Sequence, residues 1–216
     1  MEPVTFDLVI FDLDGTLTDT SLDLTNAINL ARRELGLPDL AVADVVAAVG
    51  NGAQRMVERI FSDHPELILE ALEIYRRTYA ACRTETVCLY PGVLETLDAL
   101  RQKNIPMGVI SNKSEDSARE VLRHLSVDRY FFAVLGDDGK RPLKPDPAPV
   151  HEILMTSGCD PVACLMVGDS RVDIECARNA GIRMAFLADR MGQAHQTLVP
   201  DFTMRDTREI LTLFAG

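Results

Sequence analysis

Five short apolar runs, at residues 6–11, 105–110, 131–135, 163–167 and 184–187, set the strongest limit on how this chain can fold. Each is strand-length and apolar nearly throughout, the pattern of a strand covered on both faces rather than wetted on one. Helical stripes stand between them. Val93, Leu94, Leu97 and Leu100 make one, and Ala118, Val121, Leu122 and Leu125 another. A further helix is predicted from about Asp173 to Gly181, a suitable C-terminal cap. Strand and helix in alternation require right-handed parallel crossovers. The predicted class is therefore α/β, a Rossmann-like three-layer sandwich with a parallel sheet.

Residues 18–85 break that rhythm. Leu24, Ala27, Ile28, Ala31 and Leu35 form a 3.6-residue face that stops at Gly36. A shorter helical stretch runs from Gly52 to Phe61, and Pro65 opens a third that reaches about Cys82. No strand is expected there. A helical segment this long is too large for a loop. The expectation is an inserted all-helical cap domain at 18–86, with an α/β core made from 1–17 and 87–216.

Four polar segments follow the predicted strands: Asp12-Leu13-Asp14-Gly15-Thr16, Ser111-Asn112-Lys113, Lys144-Pro145-Asp146-Pro147 and Gly168-Asp169-Ser170 with Asp173 beyond. In a parallel sheet all strand carboxyl ends share one edge, where such folds bind ligands. That edge would gather Asp12, Asp14, Asp169 and Asp173. Two carboxylates ~4 Å apart repel by about 4 kcal/mol at an effective dielectric near 20, so four require a cation. Oxygen donors without His or Cys select Mg²⁺ over zinc. A phosphate group is the natural visitor to a magnesium ion beside a lysine and open backbone amides. Taken singly, each segment is ordinary turn or cap chemistry; the shared edge makes them a site. His64, His124, His151 and His195 fall outside these segments and are read as surface or core side chains.

The run Phe11-Asp12-Leu13-Asp14-Gly15-Thr16-Leu17-Thr18-Asp19, followed in order by Ser111, Lys144 and Gly168-Asp169-Ser170 through Asp173, resembles the haloacid dehalogenase-like phosphatase superfamily over essentially the whole chain. The resemblance implies Asp12 as nucleophile, Asp14 as general acid and base, and Ser111 and Lys144 as phosphoryl-oxygen binders. Magnesium would be held by Asp12, Asp169 and the backbone carbonyl of Asp14, with Asp173 either reaching the metal or orienting Lys144. Neighbouring carboxylates are expected to raise the pKa of Asp14, as acid catalysis needs.

Gly50-Asn51-Gly52 with Val57-Glu58-Arg59, and Leu89-Tyr90-Pro91-Gly92-Val93 with Gly136-Asp137-Asp138, resemble the phosphoglycolate phosphatase branch. On that resemblance Asn112, Asn51, Gly52 and Arg59 are candidate substrate contacts, with Arg55 a second candidate for a small carboxylate. The stretch Ala188-Asp189-Arg190-Met191-Gly192 departs from the aromatic, glycine-rich segment of those enzymes. Asp14 sets the chain apart from the superfamily's dehalogenases, and the absence of lysine from 18–85 sets it apart from the phosphonate-cleaving relatives. Phosphatases of sugar phosphates or nucleotides, sugar-phosphate mutases, and a binding protein on a retired phosphatase fold remain the alternatives to 2-phosphoglycolate hydrolysis.

Composition sets the partners. With 33 acidic against 22 basic residues and a net charge of -11, the chain lacks the basic stripe that nucleic acid or an anionic membrane requires. The residues before the first strand show no basic-then-apolar leader, and five cysteines without zinc spacing read as free thiols, so a cytoplasmic setting is expected. A small phosphorylated metabolite is the expected partner, and no sequence feature speaks to oligomeric state.

Overall fold

A computed structural model describes residues 6–192 and 198–214; His195 lies outside the described residues. In chain order the elements are β1 (Leu8–Phe11), β2 (Thr18–Asp19), α1 (Ser21–Glu34), α2 (Val42–Val46), α3 (Ala53–Ile60), α4 (Ile68–Cys82), β3 (Cys88–Leu89) and α5 (Val93–Gln102). There follow β4 (Met107–Ser114), α6 (Glu115–His124), β5 (Phe131–Asp137), α7 (Ala148–Ser157), β6 (Cys164–Gly168), α8 (Arg171–Ala180), β7 (Arg183–Leu187) and β8 (Phe202–Met204).

The main sheet runs β5-β4-β1-β6-β7-β8, and every neighbouring pair is parallel. The strand-helix-strand rhythm thus folds as predicted, into an α/β three-layer sandwich. Alternation along β1 shows why its run is apolar throughout. Val9 and Phe11 pack with Leu97 of α5 and Leu122 of α6, whereas Leu8 and Ile10 pack with Ile153 of α7 and Ile174 of α8. Both faces are covered, as continuous apolar strands require.

Several details differ from expectation. The sheet has a sixth strand, β8, whose three residues carry too little alternation to be seen in sequence. Strand β4 continues beyond its apolar run through Ser111, Asn112 and Lys113 to Ser114, with an irregular register against β5. Thr18–Asp19 pairs antiparallel with Cys88–Leu89, so the two connections to the helical segment form a two-stranded ribbon where no strand was expected. Helix α8 starts at Arg171, before Asp173, because Ser170 and Asp173 form a capping box.

Helices α1–α4 build their own apolar cluster from Leu24, Ile28, Val57, Phe61, Leu72 and Tyr75, joined from the sheet side by Met191. All five cysteines are free. Among the described residues no helix is long and apolar enough to cross a membrane.

Leu97 is 1% exposed in the sheet core and Leu69 on α4 is 79% exposed. Leu97→Ala is expected to cost about 2–5 kcal/mol by denaturant unfolding, and Leu69→Ala close to nothing. Equal effects at the two positions would contradict the packing described.

Candidate active site

The chain leaves β1 at Asp12, whose amide bonds to Val167 O at 2.9 Å and whose Oδ1 accepts from Leu13 N at 2.7 Å. The next turn is tight: Leu13 O accepts from the amides of Thr16, Leu17 and Thr18 at 3.0–3.2 Å. Gly15 makes that turn at φ +84°, and a Cβ there would lie 2.1 Å from Asp169 Oδ2. Glycine is therefore required twice over, by conformation and by the close approach of a carboxylate.

Beside this turn, β6 delivers Asp169 and α8 delivers Asp173. Oxygens of Asp12, Asp169 and Asp173 all lie within 4.8 Å of one another, and all three residues are buried. Lys144 enters from the loop before α7, with its side chain 2% exposed and its Nζ 2.8 Å from Asp12 Oδ1 and 2.6 Å from Asp173 Oδ1. Burial, together with the Asp173 charge, pushes Asp12 up to about 7 despite Lys144. Burial and then the charges of Asp12 and Asp173 also raise Asp169 well above the carboxylate range. Burial alone would lower the Lys144 ammonium, but the two aspartates outweigh it and raise it. One lysine leaves this cluster short of positive charge.

Each carboxylate is held differently. Asp169 accepts from Thr16 Oγ1 at 3.1 Å and from Gly192 N at 2.6 Å. Asp173 spends Oδ1 on Lys144 and Oδ2 on the Ser170 amide and hydroxyl at 3.0 and 2.6 Å. Its geometry is that of a brace for Lys144. The cluster fits a divalent cation in donor type and in its uncompensated charge, with Asp12 and Asp169 as the carboxylates best placed to hold it.

Asp14 stands apart from the three-carboxylate cluster. Both of its oxygens accept from Lys113 Nζ at 2.8 Å, and Oδ1 accepts from Thr20 Oγ1 at 2.8 Å. The expectation that other carboxylates crowd Asp14 is thus corrected: its neighbour is a buried cation. Lys113 Nζ in turn sits 4.8 Å from the centre of the Tyr79 ring on α4, which stacks on Tyr75.

A cavity of about 1350 Å³ opens between this edge and α3 and α4, and Asp12, Asp14, Ser111, Lys144 and Asp169 all line it. The Gly50–Gly52 loop meets the sheet there. Asn112 Nδ2 donates to Gly50 O at 3.0 Å and to Lys144 O at 2.9 Å, while its Oδ1 accepts from Lys144 N at 2.8 Å. Asn112 lines the cavity, yet its amide is spent on three backbone groups. Gly52, at φ +85°, brings its Cα so close that a Cβ would be 3.2 Å from Asn112 O. Arg59 donates to Ala48 O at 3.1 Å and to Asn51 Oδ1 at 2.5 Å, bracing the same loop. Arg55 pairs with Glu58 at 2.8 Å. The structure therefore gathers every site residue named from sequence around one cavity except Asp173, which lies behind Lys144. Sequence reading missed Thr20, Tyr79 and Gly192 as neighbours of the acidic residues. Only the departure at 188–192 hinted at the last.

A buried carboxylate cluster with a lysine thus stands at the carboxyl edge of a Rossmann-like sheet, facing the inserted helices across the cavity. Residues 9–187 match the haloacid dehalogenase-like hydrolases, and the chain belongs to that family. It is similar to the phosphoglycolate phosphatase of Pseudomonas savastanoi pv. phaseolicola, with 38% identity over 188 residues covering 84% of this chain and 69% of the relative. To the phosphoglycolate phosphatase of Aquifex aeolicus it is 31% identical over 206 residues, 95% of each chain. The crystal structure of a predicted phosphoglycolate phosphatase from Haemophilus somnus 129pt superposes with a TM-score of 0.89 at 29% identity, covering 97% of this chain and 98% of that one.

The raised aspartates make a test. In the folded protein Asp12 titrates near 7 and Asp169 is also raised, while an unfolded aspartate titrates near ~3.9. Between those values the folded state binds more protons, so these groups cost stability increasingly as pH rises from about 4 to about 7. A divalent cation that displaces those protons should restore it. The gain in Tm on adding Mg²⁺ is expected to be larger at pH 8 than at pH 5; an equal gain, or none, would contradict the cluster as a cation site.

Proposed function

We propose that the chain is a Mg²⁺-dependent phosphatase of a small phosphorylated metabolite, 2-phosphoglycolate first among candidates, acting through an aspartyl phosphate on Asp12. The observation that carries this reading is the placement of Asp12 and Asp14 on one turn, with Asp12 against Lys144 and Asp14 outside the cluster. The names of the relatives support the substrate. Residues 18–86 are the proposed cap and 1–17 with 87–216 the proposed core. With all thiols free, the cytoplasm is the proposed setting.

In the first step an Asp12 carboxylate oxygen attacks phosphorus, the ester P–O bond breaks, and Asp14 gives its proton to the departing alkoxide. In the second step Asp14 takes a proton from water, whose oxygen attacks phosphorus and breaks the bond to Asp12, releasing inorganic phosphate. Lys144 and the Ser111 hydroxyl bind the phosphoryl oxygens throughout, and Asp173 and Asn112 hold Lys144 in position. Asp12, Asp169 and the backbone carbonyl of Asp14 would hold Mg²⁺, which when bound would supply the charge that lets a carboxylate approach a phosphate dianion. Asn51 and Gly52, braced by Arg59 of α3, form the cap loop that faces the substrate, and the roof of helices excludes water.

Asp12→Asn is expected to lower kcat for an aryl phosphate at saturating Mg²⁺ by at least about 10³-fold, since the nucleophile is gone. Undiminished magnesium-dependent hydrolysis by that variant would contradict the covalent route.

A further inference from the structure

Six cationic side chains line the cavity, and five of them are already engaged. Arg55 pairs with Glu58, Arg59 braces Ala48 and Asn51, Lys113 holds Asp14, and Lys144 holds Asp12 and Asp173. Arg83 pairs with Glu120 and donates to Ala80 O at 3.0 Å. Arg76 alone among them makes no hydrogen bond, ion pair or ring contact with the described residues.

Its position adds to this. Arg76, Tyr79 and Ala80 on α4 and Arg83 at its C-terminal cap recur at i, i+3, i+4 and i+7, and all four line the cavity. The middle of that stripe is fixed over the site by Tyr79, whose ring covers Lys113, which in turn grips Asp14. At its far end Arg83 keeps Nε buried without a partner among the described residues. If Asp14 protonates the leaving oxygen, the alcohol half of the substrate extends from Asp14 past Lys113 and so along this stripe. An uncommitted guanidinium one helical turn from Tyr79, and a second with a free buried donor, suit an anion arriving there.

We propose that Arg76, with Arg83 two turns further along the same stripe, forms an anion subsite for the alcohol half of the substrate, so that the enzyme selects phosphate monoesters whose short alcohol carries a second negative charge. This rests on the phosphatase reading above. It moves the contact that selects the substrate from Arg59 and Arg55 on α3, whose donors are engaged with Ala48 O, Asn51 and Glu58, to α4. Ala80 leaves room between the two arginines.

The test compares kcat/KM for 2-phosphoglycolate with that for p-nitrophenyl phosphate, whose leaving group carries no second ionised group beside the transferred one. Arg76 is exposed, so its variants should keep the wild-type Tm. In Arg76→Gln the ratio of the two constants is expected to fall about 10- to 100-fold, the range for a lost charge-assisted contact. Arg76→Lys should recover part of it, Arg83→Gln should lower it, and Arg59→Gln should lower it less than Arg76→Gln. A ratio unchanged in Arg76→Gln, or a larger loss in Arg59→Gln, would overturn the subsite. Wild-type protein that hydrolyses the aryl phosphate but does not prefer the carboxylated ester would also overturn it. Absence of magnesium-dependent hydrolysis of either compound would instead overturn the phosphatase reading on which it rests.

Discussion

Burying three carboxylates within 4.8 Å of one another is the constraint around which the rest of this molecule is arranged. Desolvation and mutual repulsion both work against it, and a single lysine offsets only part of the charge. The backbone does much of the remaining work. Gly15 and Gly192 each lack a side chain where one would strike Asp169, and the Gly192 amide donates to that same carboxylate. Gly168 is pressed against the Asp173 carboxyl in the same way, at 2.5 Å for a notional Cβ. The cluster therefore carries uncompensated negative charge that a divalent cation would offset.

Besides the apolar contact of Met191, polar contacts tie the helical insertion to that cluster. Asn112 joins the Gly50–Gly52 loop to the Lys144 loop, so the positions of that loop and of Lys144 depend on one side chain. Tyr79 over Lys113 links α4 to Asp14. Arg83 reaches Glu120 on α6. Polar links of this sort break and re-form at lower cost than a packed interface.

Much of the fold was legible because apolar runs and helical stripes are local patterns. Val9 and Phe11 against Leu8 and Ile10 already state that β1 has two covered faces. The site was legible in part for the same reason: Asp12, Lys144 and Asp169 follow strands, and parallel topology carries strand ends to one edge. What the sequence left hidden are contacts that no local rule encodes. The Asp14–Lys113 pair spans 99 residues and the Gly192–Asp169 bond 23, across different elements. That β4 runs on through Ser111 and Lys113 was not legible, because polar residues at a strand's end carry no apolar alternation. Strand β8 was lost to its brevity. The capping box at Ser170 and Asp173 was written in the sequence, but Asp173 was read as a candidate metal residue before it was read as a cap.

The central claim, that the phosphoryl group passes through Asp12, is tested most directly by acid-quenching the enzyme during turnover with Mg²⁺ and 2-phosphoglycolate and mapping its peptides by mass. The account predicts one added phosphoryl group on the peptide that contains Asp12, labile to mild base and absent when Mg²⁺ is removed. Sustained turnover with no labelled peptide, or with the label on another residue, would contradict it.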